Sequence, residues 1–148
     1  MDTEQAEPMR FTGFLLRRAQ QVHVALWTRE VSAEISSVQY GVLAVLERHP
    51  GASQRELGDE LDLDRSTIAD LAARLDRRGL IDRRPHAGDR RRNTLWLTEA
   101  GEEELTRLRR GAQRVESLLT DHLERRDRAE LRVLLRSLLG DTAKDVGR

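Results

Sequence analysis

The chain has 148 residues, of which 35% are charged and only 3% aromatic, and its 26 basic and 26 acidic residues leave no net charge. This length predicts one domain, and the absence of cysteine excludes disulfides and thiolate metal sites. The sequence shows neither an apolar run long enough to span a bilayer nor a signal-peptide pattern, so we expect a cytoplasmic protein with no membrane partner.

A first long helix is predicted from about Met9 to Val31, with apolar residues on more than one face. A helix that is apolar on two sides packs against two surfaces, and we expect these to be a partner protomer and the chain's own second lobe. The same helix carries Arg17, His23 and Trp27. An arginine fork, an imidazole and an indole together suit an aromatic acid. The alternative is that Trp27 is core, His23 a satisfied interface residue and Arg17 a surface residue.

The second predicted helix runs from Val38 to Arg48, after a cap at Ser36 or Ser37. Gln39 and Tyr40 near its start are candidates for the edge of the same ligand site, although a core position suits Tyr40 better. Pro50 and Gly51 then form a turn into the next part of the chain.

Two short helices joined by a tight turn are predicted within the stretch from Ser53 to Thr98. Ser53 and Glu56 have the spacing of a capping box at the start of the first helix. Asp64 is a favourable N-cap for the second, which is predicted from Arg65 to Arg78 with Gly79 as its C-terminal stop.

One face of this second helix carries short polar side chains and arginines. At 100° per residue, Ser66, Asp70 and Arg77 share that face, with Thr67 and Arg74 at its edges. Such side chains permit close approach to a major groove and can meet bases or phosphates. A merely solvated face would have the same composition, so this helix alone does not decide between the two.

An arginine-rich loop follows, between strands predicted at Leu80 to Arg84 and Thr94 to Leu97. Residues 74–92 contain eight arginines against three aspartates, a local net charge of +5 in a neutral chain. A concentrated basic patch beside two short helices is typical of phosphate contact. The pattern predicts a winged helix-turn-helix that binds duplex DNA.

The stretch resembles the MarR family of bacterial transcription regulators. The resemblance rests on Leu63-Asp64-Arg65-Ser66-Thr67, on Leu75 followed by Leu80-Ile81, on Asp89-Arg90-Arg91, and on Leu97-Thr98 with Gly101. It implies a homodimer on a pseudo-palindromic operator, with the DNA-binding residues Ser53, Gln54, Arg55, Arg65, Ser66, Thr67, Asp70, Arg74, Arg77, Arg90, Arg91 and Arg92. The first helix resembles that of members responsive to aromatic acids, which implies a small aromatic acid effector held by Arg17, His23, Trp27 and Gln39.

Two more helices are predicted after the wing, one from a cap at Thr98 to about Glu124 and one with leucines at 131, 134, 135, 138 and 139. Their leucine stripes exceed what one small lobe needs and indicate a dimer interface; membrane attachment is the weaker alternative, because acidic residues are mixed through both helices. The predicted fold is mainly α with a small β-wing: a single MarR-type domain over residues 1–148, with dimerisation helices at 9–33 and 102–139 and a winged helix-turn-helix at 36–98.

An enzyme is not indicated. The four histidines, His23, His49, His86 and His122, are isolated, and no zinc spacing, phosphate loop or nucleophile elbow is present, so we expect no catalytic residues, metal or cofactor. We predict a transcriptional repressor released from its operator by a small aromatic carboxylate. The alternative function is a ligand-independent DNA-binding or architectural dimer.

Overall fold

The computed structural model describes residues 6–140, except for the side chain of Arg90. The predicted domain of residues 1–148 therefore extends at both ends beyond the described part. After a short 3-10 helix, Glu7–Arg10, the elements in chain order are α1 (Thr12–Glu30), α2 (Ser37–Arg48), β1 (Ala52–Ser53), α3 (Gln54–Leu61), α4 (Arg65–Arg77), β2 (Ile81–His86), β3 (Asp89–Leu97), α5 (Glu99–Leu119) and α6 (Arg125–Leu139). The mainly helical fold with a small wing is confirmed.

Several predicted boundaries differ from the structure. The first helix starts at Thr12 because Phe11 takes an extended backbone conformation after the 3-10 turn. The fifth ends at Leu119, five residues early, where Thr120 and Asp121 are weak helix formers. The arginine-rich loop is mostly strand, because β2 and β3 continue to pair up to a turn at Ala87 and Gly88.

The capping predictions were partly right. Ser53 accepts from the amide of Glu56 at 3.1 Å, but within residues 6–140 the two-way capping box forms one helix earlier, between Ser36 and Gln39. There the Ser36 hydroxyl accepts from the Gln39 amide at 3.1 Å, and the Gln39 side-chain oxygen accepts from the Ser36 amide at 2.8 Å. This pair anchors the start of α2.

The main core lies between α2, α3, α4, the sheet and α5. The three strands are antiparallel in the order β1-β3-β2, with Ala52 opposite Leu95 and Ile81 opposite Leu97. The fully buried large side chains are Val42, Leu43, Leu46, Leu57, Ile68, Leu75, Ile81, Leu95, Leu105 and Leu108. This packing holds the two short helices and the wing as one lobe.

Helix α5 joins that lobe to α1. Gly111 lies so close to the end of α1 that an added Cβ would approach the carbonyl oxygen of Glu30 to 2.9 Å. Arg114 donates to the same oxygen at 3.0 Å, and Arg109 pairs with Glu47 of α2 at 2.8 Å. The end of α1 is thereby fixed against α5 and the DNA-binding lobe.

Helix α6 has no buried residue within the protomer. Leu134, Leu138 and Leu139 are between 57% and 65% exposed, and Phe11 and Leu15 of the N-terminal region are exposed too. None of the helices in residues 6–140 is both long and apolar enough to cross a membrane. The apolar surface therefore lies on amphipathic helices that mix leucine with charged residues.

Candidate nucleic-acid interface and adjoining cleft

Helices α3 and α4 form a compact helix-turn-helix. The turn is at Asp62, whose left-handed backbone (φ 54°) ends α3. Leu57 of α3 and Ile68 and Leu75 of α4 are buried, so α4 turns its polar face outward. On that face Arg65, Ser66, Asp70, Arg74 and Arg77 are exposed and Thr67 is half-buried.

Asp64 organises the start of α4. One carboxylate oxygen accepts from the Thr67 amide at 2.7 Å and from the Ser66 hydroxyl at 2.8 Å, and the other accepts from the Thr67 hydroxyl at 2.9 Å. The Thr67 amide, followed by these hydroxyls, lowers the pKa of the Asp64 carboxyl. Because both hydroxyl protons are engaged, Ser66 and Thr67 present lone pairs outward, which can accept from base amino groups.

The start of α3 carries the other helical residues predicted to meet DNA. Ser53 is half-buried and its hydroxyl is engaged in the cap, Gln54 is half-buried, and Arg55 is exposed. Of these three side chains, Arg55 is the one most accessible to a phosphate.

The wing is ordered by its own side chains. Asp89 accepts from the Arg91 amide at 2.9 Å and lies 3.8 Å from the Arg92 guanidinium. Arg84 covers the Trp96 ring, with its guanidinium carbon 4.7 Å from the ring centre. Arg91 and Arg92 are exposed, whereas the side chain of Arg90, also predicted to bind DNA, lies outside the described part. The Asp89 carboxylate thus holds the wing backbone at Arg91.

A cleft of about 250 Å³ lies between α1, α2 and the polar helix α4. Its walls come from the end of α1, the loop before α2, the start of α2 and the middle of α4. They comprise Val24, Trp27, Thr28, Ser32, Ala33, Glu34, Ser36, Ser37, Gln39, Leu71 and Arg74.

Two of the four predicted ligand residues line this cleft, Trp27 and Gln39. The Trp27 N–H donates to the Ile35 carbonyl at 2.7 Å, so its ring is an apolar wall rather than a free donor. The capping box occupies the side-chain oxygen of Gln39, which leaves its NH₂ group to meet a ligand. His23 does not line the cleft but packs beside Trp27, with 6.2 Å between ring centres.

Arg17 is not brought to this cleft within its own protomer. It lies on the same side of α1 as Val24 but two turns earlier, about 10 Å along the axis. Helical side chains lean toward the N-terminus, so Arg17 leans away from the cleft. Its predicted ligand contact stays a prediction.

Comparison with known proteins decides the family. Residues 34–92 match the sequence profile of the MarR family. The HTH-type transcriptional repressor NicR of Pseudomonas putida is 32% identical over 136 residues, which cover 91% of this chain and 85% of NicR. The chain belongs to the MarR family. It is a DNA-binding transcription regulator, as its resemblance to that family predicted.

Solved structures of other MarR-like regulators align along nearly the whole chain. The PcaV regulator of Streptomyces coelicolor, in complex with its natural ligand, is 38% identical with a TM-score of 0.86, covering 92% of this chain and 96% of PcaV. The repressor CouR, bound to a 23-mer DNA duplex, is 30% identical with a TM-score of 0.82, covering 93% and 99%. Bordetella bronchiseptica BpsR, whose DNA binding is regulated by 6-hydroxynicotinic acid, is 26% identical with a TM-score of 0.79, covering 85% and 96%.

Sequence reasoning missed most of the cleft of this MarR-family protein. Glu34 lines it while pairing with Arg78, at the end of α4, over 3.0 Å. Arg74 was assigned to DNA alone, yet it also lines the cleft. No local pattern links these residues, because each comes from a different element. The part of the chain that the structure describes holds no cluster of three His, Cys, Asp or Glu side chains suited to a metal ion.

Proposed function

We propose that this MarR-family chain is a repressor that binds a pseudo-palindromic operator as a homodimer and is released by a small aromatic carboxylate. It acts by binding, with no catalytic step, and because its target is DNA we place its action in the cytoplasm. The observation that carries the proposal is the cleft, because it directly adjoins the helix that faces outward to read DNA.

The DNA-binding part of the proposal rests on exposed donors on two elements. Arg65 and Arg77 extend from α4, and Arg91 and Arg92 from the wing, while the chain as a whole is neutral. The hydroxyls of Ser66 and Thr67 can accept from base edges at the helix start. The start of α4 therefore offers base contacts, and the arginines of α4 and of the wing offer contacts to phosphates and to the minor groove.

The homodimer is supported by apolar surface that no element of the protomer covers. Helix α6 buries none of its leucines, and exposed apolar side chains of α1 add to the same kind of surface. Contiguous apolar surface on amphipathic helices is typical of an association surface. A pseudo-palindromic operator requires two copies related by a two-fold axis, with their α4 helices about one DNA turn apart.

The effector class is supported by the size and lining of the cleft. A volume of about 250 Å³ suits one aromatic ring with substituents, since an apolar cavity of roughly 150 Å³ holds benzene. Trp27 and Leu71 offer apolar walls, Gln39 an amide donor and Arg74 a cation. Among relatives, PcaV was solved with its natural ligand and BpsR responds to an aromatic acid. An open cleft at this junction favours a sensor over the ligand-independent dimer, because a tightly packed junction would leave no room for a ligand.

The test has two stages. A duplex selected from a random pool should bind tightly and in competition with bulk DNA; equal affinity for all sequences at physiological salt would reject a specific operator. Phenolic and benzoic acids are then screened by thermal shift and for release of the selected duplex. An acid that binds the folded dimer raises its apparent stability by mass action. If no acid of this class does either, the effector proposal fails while operator binding stands.

A further inference from the structure

We infer that Arg74 binds the carboxylate of the effector in the cleft. The same guanidinium then contacts either the effector or the DNA. This inference rests on the proposed function and adds the residue that couples its two sites. Arg74 lies on the polar face of α4, which meets DNA in the proposed function, and it also lines the cleft beside Trp27 and Gln39.

Arg74 already has an anionic partner on its own helix. Its Nε lies 3.1 Å from an oxygen of Asp70, one turn earlier, and both side chains are more than half exposed. Exposed pairs of this kind are weak, because water and salt screen them. Arg74 can therefore leave Asp70 for a stronger anionic partner without unfolding the protein.

A carboxylate inside the cleft would be such a partner. The lining of the cleft has two charged residues, Glu34 and Arg74. Glu34 pairs with Arg78 at 3.0 Å and not with Arg74, so no carboxylate of the cleft occupies the Arg74 guanidinium. An arginine can bind a carboxylate through two parallel hydrogen bonds, and a half-enclosed cleft with an indole wall reduces screening. The ring of an aromatic acid can lie against Trp27 while its carboxylate meets Arg74.

Exchange of partners at Arg74 changes the charge that α4 presents to DNA. When the effector takes the guanidinium, Asp70 is left as an unpaired carboxylate on the DNA-facing side and repels phosphates. The same event removes Arg74 from any phosphate that it would bind. Effector and DNA therefore oppose each other through one side chain, and each must weaken the other by the same factor.

The first experiment measures ligand binding without DNA. Calorimetric titration of 4-hydroxybenzoate and of its neutral analogue 4-hydroxybenzamide compares wild type with Arg74→Gln, Arg17→Gln and the distant control Arg110→Gln. We expect Arg74→Gln to weaken the acid at least tenfold and the amide little, with Arg110→Gln like wild type. Unchanged acid binding by Arg74→Gln overturns the inference, as does a loss confined to Arg17→Gln. If wild type binds neither this acid nor any other of the screened acids, the proposed effector class itself fails and the inference falls with it.

The second experiment isolates the exchange. Asp70→Asn removes the competing carboxylate but keeps its shape, so the acid should bind more tightly than to wild type. The acid should also release less of the selected duplex, because no carboxylate is freed on α4. If saturating acid releases as much of the duplex from Asp70→Asn as from wild type, the exchange of partners at Arg74 is overturned. All four substituted side chains are exposed, and unchanged thermal midpoints confirm that the variants fold.

Discussion

The Thr98 hydroxyl donates to the carbonyl oxygen of Gly79 over 2.6 Å and thereby ties the start of α5 to the end of α4. The Thr98 oxygen also accepts from the Gly101 amide at 3.0 Å, and the Thr98 amide donates to Leu80 at 3.1 Å. The residues Leu97-Thr98 and Gly101, which resemble a family motif, therefore form the joint between the DNA-binding lobe and a helix predicted to dimerise. Any shift of α5 acts directly on the end of α4.

Gly101→Ala should destabilise the protein by about 1–3 kcal/mol, because a Cβ there would overlap the Leu80 carbonyl and force the backbones apart. Gly13→Ala is the matched control, since nothing lies within 4 Å of its added Cβ and alanine favours helix. Urea denaturation at one fixed protein concentration compares the two. Equal midpoints for both variants would contradict the close contact at Gly101.

Asp64 should make the start of α4 sensitive to acid. The pKa of Asp64 is lowered in the folded protein. Its contribution to the free energy of unfolding is therefore complete above the ordinary carboxyl pKa of 3.8 and disappears as pH falls through the lowered value. Asp64→Asn keeps a cap without the charge, so wild type should lose more stability than the variant as pH drops below about 4. Thermal midpoints between pH 7 and pH 3 at constant salt measure this. If the difference in thermal midpoint between wild type and Asp64→Asn is the same at every pH, the ionisation of Asp64 does not stabilise the folded protein.

Arg91→Ala should lower operator affinity while leaving the dimer folded. Asp89 holds the Arg91 backbone in place, and the Arg91 side chain is exposed at the wing, where a narrow minor groove attracts a guanidinium. The slope of log affinity against log salt should become less negative by about one. Arg90→Ala and Arg92→Ala should weaken binding less, and for Arg92 the structure gives a reason, because its side chain pairs with Asp89. Unchanged binding by Arg91→Ala would refute the wing assignment.

Leu134→Glu should dissociate the dimer. Leu134 is 58% exposed in the protomer and lies on the α6 leucine stripe, so a carboxylate there would be buried unpaired in the interface. Val133→Glu is the control, because Val133 is similarly exposed at 56% but lies about 100° round the helix. Sedimentation at micromolar concentration distinguishes monomer from dimer. A folded wild-type monomer at that concentration would reject the dimer outright.

Local chemistry in the sequence was enough to predict most elements of the fold. Helix α4 is framed by its Asp64 cap and by Gly79, whose φ of +71° suits a residue without a side chain. The leucine spacing marked the buried faces of α3 and α4. It grouped the leucines of α5 with those of α6 as a dimer interface, which is wrong for Leu105 and Leu108, because both are buried in the core of the protomer while the α6 leucines stay exposed. Such signals act over three or four residues, so they can be read directly from the order of residues.

Tertiary structure alone decided which distant residues share the cleft. Trp27, Gln39 and Arg74 come from α1, α2 and α4, and their meeting depends on how those helices cross, which no local periodicity encodes. The same crossing engages the Trp27 N–H with the Ile35 carbonyl, so that the indole ring is an apolar wall, and it leaves Arg17 outside the cleft of its own protomer. Composition and spacing thus determined the elements and the family resemblance, whereas the close packing of helices far apart in sequence determined the cleft between α1, α2 and α4.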